Sequence, residues 1–272
     1  MVSSMQATAG EAPILQVQGI AKALGGGGRQ PPTQIIGDLR FDARPGEFIS
    51  VVGPSGCGKT TLLMCLAGLM GVDKGQVVFE RNALRAPAPG IGVVFQDYSR
   101  SLLPWRRNLA NVMFGMRRLG NMSEADKRAR AMDLLHHVGL RGFESHYPWQ
   151  VSGGMQQRVA IARALAAQSR LLLLDEPLAA VDAQTRAEVQ DLLLSLAAEY
   201  GQTCVLVTHD VEEAIYLSNR VVVLSQRPTT VLRDIAVDLP APRDQLHTRA
   251  HPEFLRLREE VLTLIKSLPK AH

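Results

Sequence analysis

Eight residues constrain this chain more than any others. Gly53-Pro54-Ser55-Gly56-Cys57-Gly58-Lys59-Thr60 fits the pattern G-x-x-x-x-G-K-[ST] in full. The run follows Phe48–Val52, a short apolar segment that reads as a strand. It precedes Lys59–Leu69, where leucines recur at helical spacing until Gly71 stops them. Strand, glycine-rich turn and helix together form a phosphate cradle. The glycines let the backbone curl so that successive N–H groups point inward. The start of the following helix adds the positive end of a dipole. Lys59 supplies a mobile charge for β- and γ-phosphates, and the Thr60 hydroxyl reaches Mg2+.

A second segment belongs with the first. Leu171–Leu174 is an apolar strand that ends in Asp175-Glu176-Pro177. An acid at the carboxyl end of a buried strand, near a phosphate loop, is placed to hold Mg2+ through water. Glu176, next along the chain, can align an attacking water as a base. Between these segments, apolar runs and helical stretches alternate. Ile14–Ile20, Gln76–Glu80 and Gly92–Gln96 read as strands, and so do Thr203–Thr208 and Arg220–Leu224. Gly153–Ala167 and Ala183–Tyr200 read as helices, and Asp97 to about Gln150 as a polar, arginine-rich helical insertion. This alternation predicts an α/β fold, a parallel sheet with helices on both faces. Met1–Glu11 is expected to fray, and Gly25–Gly28 with Pro31 and Pro32 to form a loop.

Bulk properties narrow the function classes. Of 272 residues, 46% are hydrophobic and 21% charged, enough apolar side chain for a core without disulfides. The net charge of +4 is far from the dense stripe of a duplex-binding protein. The arginines gathered between Arg100 and Arg130 read as a solvated helical face, so no nucleic-acid partner is expected. Cys57, Cys65 and Cys204 form no CxxC pair, which suits a reducing compartment. Met1 to Pro13 shows no signal-peptide pattern. No run reaches the roughly 18 apolar residues of a membrane helix. Service to a membrane would therefore require docking onto another chain.

Val151-Ser152-Gly153-Gly154-Met155-Gln156-Gln157-Arg158 decides among the many enzymes that share a phosphate loop. It resembles the signature of ABC ATPases, and it precedes the aspartate strand at that family's spacing. Ser152 can cap the helix that follows, and the bare glycines at its start make a second anion cradle. Gln96, Asp182 and His209 match the family's glutamine, crossing-loop aspartate and switch histidine. The resemblance runs from about Ile14 to Ser225. It implies a P-loop NTPase (RecA-like) core with a parallel sheet, an antiparallel β subdomain and an inserted helical subdomain. The cassette would span 14–240, with the helical subdomain at about 97–155 and a short tail at 241–272 holding one amphipathic helix.

The same resemblance implies the site. ATP and Mg2+ would be bound by Gly53, Pro54, Ser55, Gly56, Cys57, Gly58, Lys59, Thr60 and Thr61. Ser152, Gly153 and Gly154 would reach the nucleotide of a second copy, giving a head-to-tail homodimer. Thr60, Gln96 and Asp175 would serve the metal, and Glu176, His209, Gln96 and Lys59 catalysis. One departure stands out: the family's adenine-stacking aromatic falls by spacing at Leu24, and Ala21–Gly28 offers no aromatic. Weaker nucleotide binding is expected there. Val151 and Met155 replace the commoner Leu and Gln of the signature, at similar size.

Ser101-Leu102-Leu103-Pro104-Trp105-Arg106-Arg107-Asn108-Leu109 is similar to cassettes of the nitrate, sulfonate and taurine importer group. So are Pro148-Trp149-Gln150, Val211–Ala214 and the tail from Leu239-Pro240-Ala241-Pro242-Arg243 onward. The implied protein is the ATP-hydrolysing subunit of an importer, peripheral on the cytoplasmic face of the inner membrane. It would act with transmembrane permease subunits and, through them, an external solute-binding protein. Leu-Pro-Trp has subdomain core as its alternative reading. An export cassette and a soluble non-transport ATPase remain open, and an aromatic or thiamine-precursor cargo fits as well as sulfonate.

Overall fold

The computed structural model describes residues 12–26, 31–97, 101–179 and 182–268. The amino-terminal segment expected to fray and the glycines at 27 and 28 lie outside them. The chain opens with strands β1 (Leu15–Leu24), β2 (Thr33–Ala43) and β3 (Phe48–Val52), then helix α1 (Lys59–Leu66). Next come β4 (Lys74–Phe79), β5 (Asn82–Ala83) and β6 (Ile91–Val94), then α2 (Asn108–Gly115) and α3 (Glu124–His137). A 3-10 turn at Pro148–Gln150 leads into α4 (Gly153–Ala166), β7 (Leu171–Asp175) and α5 (Ala183–Tyr200). The chain closes with β8 (Thr203–Thr208), α6 (Val211–Leu217), β9 (Arg220–Leu224) and β10 (Val231–Ala236), then α7 (His247–Ala250) and α8 (Pro252–Lys266).

The described residues up to Ala88 and from Leu193 onward form one compact unit. In it, β3 pairs in parallel with β8 on one side and β9 on the other, and β10 adds an antiparallel edge to β9. Every residue of β3 and of β8 is buried. Strands covered on both faces lose the polar–apolar alternation and become continuous apolar runs, which is why Phe48–Val52 was visible in the sequence. A separate antiparallel sheet runs in the order β2-β1-β4-β5. Arg220 ties the parallel strands to their edge through Glu47 (3.1 Å) and Asp234 (3.0 Å).

The described residues from Pro89 to Leu192 form the second unit. Here β6 pairs in parallel with β7. Helices α2, α3 and α4 pack together, with Val112, Met116, Ala131, Leu134 and Leu135 buried. α2 comes close to α4 because Gly115 leaves room for the Arg163 carbonyl, which a Cβ would strike.

Several element boundaries differ from the reading of the sequence. Helix α1 ends at Leu66, not Leu69: Gly68 adopts φ +69°, and a Cβ there would come within 2.5 Å of the Ala86 carbonyl oxygen. Strands β2 and β10 and helix α6 had no forecast. The tail holds α7 as well as α8, so the expectation of a single helix after Pro240 is corrected. Asp244 creates the extra turn by accepting from the amides of Leu246 (2.9 Å) and His247 (2.8 Å).

Candidate functional site

The phosphate loop leaves the carboxyl end of β3 and enters α1 with no side-chain cap, because Gly58 (φ +111°) occupies the cap position. A side chain at Gly58 would also meet Ile35 Cγ2 at 2.5 Å, so glycine is required twice over. Gly56 (φ +75°) faces open space and adds no side chain to the loop. The floor is pinned by the Thr229 hydroxyl, which donates to the Cys57 carbonyl. Lys59 is 7% exposed and donates to the carbonyls of Gly53 (2.9 Å) and Pro54 (3.1 Å). Its ammonium thus spans the mouth of its own loop. Thr60 is exposed and Thr61 half-buried. Burial pushes the Cys57 thiol up, so it is a packing group beside Gly53.

In the second unit, β7 delivers Asp175, 3% exposed, at its carboxyl end. Glu176 follows with φ +42°, a strained backbone for a residue with a side chain. Gln96, just past β6, donates to the Glu176 carboxylate at 3.4 Å. Adjacent parallel strands therefore bring together Gln96 and Glu176, two of the candidate catalytic residues. The sequence reading passed over Gln157. It lies buried within α4 and donates to the Pro177 carbonyl, directly after Glu176. Its signal was its place inside the quoted signature, three residues beyond Gly154.

Ser152 begins α4 as a side-chain cap, its hydroxyl accepting from the Met155 amide at 3.3 Å. Gly153 and Gly154 form the first turn. Gly154 has a second role: a Cβ there would meet Thr185 Cγ2 at 2.5 Å. Thr185 is held by Asp182, which accepts from its amide (3.0 Å) and its hydroxyl (2.7 Å). These bonds hold the Asp182 carboxyl below its ordinary range. Asp182 thus fixes the start of α5 in its own chain. Its neighbours at 180 and 181 lie outside the described residues.

His209 follows β8 and is exposed, whereas Thr208 and all of the next helix but Glu212 are buried. Thr208 donates to Glu213 (2.5 Å), and Asp210 caps α6 by accepting from the amides of Glu212 (2.9 Å) and Glu213 (3.1 Å). Leu24, where an aromatic was expected, ends β1 opposite Thr33.

The Ser101–Leu109 segment divides. Leu102 (2% exposed) is core, but Trp105 is 71% exposed. Its turn is braced by hydrogen bonds: Asn111 accepts from the Leu103 amide (2.8 Å) and donates to the carbonyls of Leu103 (3.1 Å) and Arg106 (2.9 Å). Trp149 is also exposed and stacks on Tyr147. Among the described residues no helix is long and apolar enough to cross a membrane.

Comparison with known proteins agrees with this geometry. The family model described as ABC transporter matches residues 36–179. The chain is 43% identical to a taurine import ATP-binding protein of Yersinia pestis, over 83% of this chain and 89% of that one. It is 44% identical to an aliphatic sulfonates import ATP-binding protein of Xanthomonas axonopodis, over 86% and 92% respectively. Among solved structures, a dimeric ATP-binding cassette in a post-hydrolysis state, bound to ADP and Pi, superposes with a TM-score of 0.72 at 32% identity, covering 82% of this chain and 98% of that one. The chain therefore belongs to the ABC transporter family, as one of its ATP-hydrolysing cassettes.

Proposed function

We propose that this chain energises uptake of a small solute of the taurine, sulfonate or nitrate kind, as the ATPase subunit of an importer. Two copies would pair head to tail, each offering Gly53–Thr61 to one ATP and Ser152, Gly153 and Gly154 to the other. The subunits would sit on permease chains at the cytoplasmic face of the inner membrane, beneath an external solute-binding protein. Trp105 is the observation that carries the importer reading. A large aromatic, held out by a turn that Asn111 locks, suits a docking anchor, since aromatic side chains with arginine dominate such interfaces. The names of the relatives support the cargo class.

The chemistry follows from the donors. Thr60, Gln96 and Asp175 all present oxygen atoms, the donor set of a hard divalent cation, and Gly56 adds no side chain to the loop. They would hold Mg2+, which when bound neutralises charge on the β- and γ-phosphate oxygens. Lys59 turns from its loop carbonyls to the phosphates. Glu176, steadied by Gln96, takes the proton of a water that attacks the γ-phosphorus. The bond to the bridging oxygen breaks, and ADP and phosphate leave. His209 holds the γ-phosphate before that step. Closing a two-state dimer from 1:99 to 99:1 takes about 5.5 kcal/mol of differential binding. A few charge-assisted hydrogen bonds at about 1.5–3 kcal/mol each supply that.

Co-expression with permease subunits tests the importer reading. The parent should sediment with membranes only when those subunits are present, and Trp105→Ala should stay in solution while still hydrolysing ATP. Membrane association that is independent of permease, or indifferent to Trp105, would contradict it.

A further inference from the structure

The carboxyl-terminal tail reaches back to α6, the helix that follows His209. Helix α6 begins two residues after His209 and is only seven residues long, about 10 Å. A helix this short is not stable by itself, so its register depends on what holds its ends. Its start is fixed locally, by the Asp210 cap and the Thr208–Glu213 bond. Its end is fixed from the tail. The Arg243 guanidinium donates to the carbonyls of Ile215 (3.2 Å) and Tyr216 (2.6 Å), two of the acceptors that a helix end leaves without partners. A cation there also faces the negative end of the helix dipole.

Two more tail arginines grip the same helix. Arg249 (2.9 Å) and Arg258 (3.3 Å) pair with Glu212, and Arg249 also lies over the Tyr216 ring at 5.1 Å. Behind them Phe254, Leu257 and Val261 of α8 are buried. Burial pulls the Arg243 pKa down to about 10, which leaves it charged at neutral pH.

We propose that Arg243 is a positioning residue for hydrolysis: by clamping the end of α6 it sets the placement of His209 at the other end. The inference rests on the reading of His209 as the group that holds the γ-phosphate. The phosphate loop makes no use of Arg243, so the effect should fall on turnover and spare nucleotide binding. Misplacing a reacting group by about 1 Å can cost up to 10²-fold. Loss of a clamp at the far end of a buried helix should cost less, about tenfold.

The test is a cycle in the full-length chain with MgATP: Arg243→Gln, His209→Ala and the double variant, with kcat and KM measured for each. Arg243→Gln should lower kcat about tenfold with KM within about twofold, and amide exchange over 208–217 should speed up. In the His209→Ala background the same change should alter the residual kcat by less than about twofold. Arg243→Lys, which keeps the charge and one donor direction, should restore part of the rate and covers the case of a poorly folding Arg243→Gln. An equal loss in both backgrounds, or a rise in KM with kcat intact, would overturn the positioning role while leaving the histidine reading in place. Parental turnover in His209→Ala would overturn the histidine reading itself, and the inference with it.

Discussion

Two glycine-rich helix starts in this molecule look alike in sequence and differ in what they contain. The first, at Gly53–Thr60, carries the phosphate-loop pattern in full. It has a backbone cradle, a pinned floor and its own cation, Lys59, lying across the mouth. No side chain caps its helix. The second, at Ser152–Gly154, is capped by its own serine and brings no lysine within its first turn. It offers a dipole end and a hydroxyl, which can favour a phosphate already held elsewhere. If the proposed function holds, the difference means that the first loop binds the nucleotide and the second responds to what is bound.

Changes that separate binding from turnover test that distinction. The largest effect is expected for Lys59→Ala. Losing charge-assisted contacts worth about 1.5–3 kcal/mol each should weaken ATP binding by roughly 10- to 100-fold, and hydrolysis should fall below detection. Titration with a fluorescent ATP analogue reads the first, phosphate release the second. Gly154→Asp should lose hydrolysis and keep binding. Its Cβ would meet Thr185 and its charge would repel phosphate, so hydrolysis should drop about 100-fold while ATP affinity stays within about twofold. If Gly154→Asp instead abolished binding, the second loop would be part of the same primary site.

Leu24→Tyr sharpens the picture of the first loop. A stacked ring is worth about 1–3 kcal/mol per base, so ATP affinity should rise at least about fivefold, and GTP less. Equal affinities before and after the change would mean that the segment does not reach the base. The smallest effect is expected for Ser152→Ala, which removes a helix cap worth about 1 kcal/mol. A melting curve should shift down by about 2–4 °C, with ATP binding unchanged.

What was legible in the sequence follows from burial and from glycine. The strands buried on both faces, Phe48–Val52, Leu171–Asp175 and Thr203–Thr208, declared themselves as apolar runs. The phosphate loop did so because its backbone conformation admits few residues, Gly58 above all. Strand β2 escaped because it lies in an antiparallel sheet, with polar residues and Gly37 breaking its pattern. Helix α6 escaped because seven residues carry too little periodicity, and it is held by distant residues. The roles of Gln157 and Arg243 could not be read from spacing. Each acts on a backbone carbonyl 20 or more residues away, which only the fold brings close.

The most direct test of the account is the mass of Glu176→Gln with and without ATP, followed by light scattering, beside the same chain carrying Gly154→Asp. The account predicts that Glu176→Gln binds ATP without hydrolysing it and accumulates at twice the monomer mass, and that Gly154→Asp returns it to the monomer while ATP stays bound. An ATP-loaded Glu176→Gln that remains monomeric, or a dimer indifferent to Gly154→Asp, would contradict the claim that the second loop answers the nucleotide of another copy.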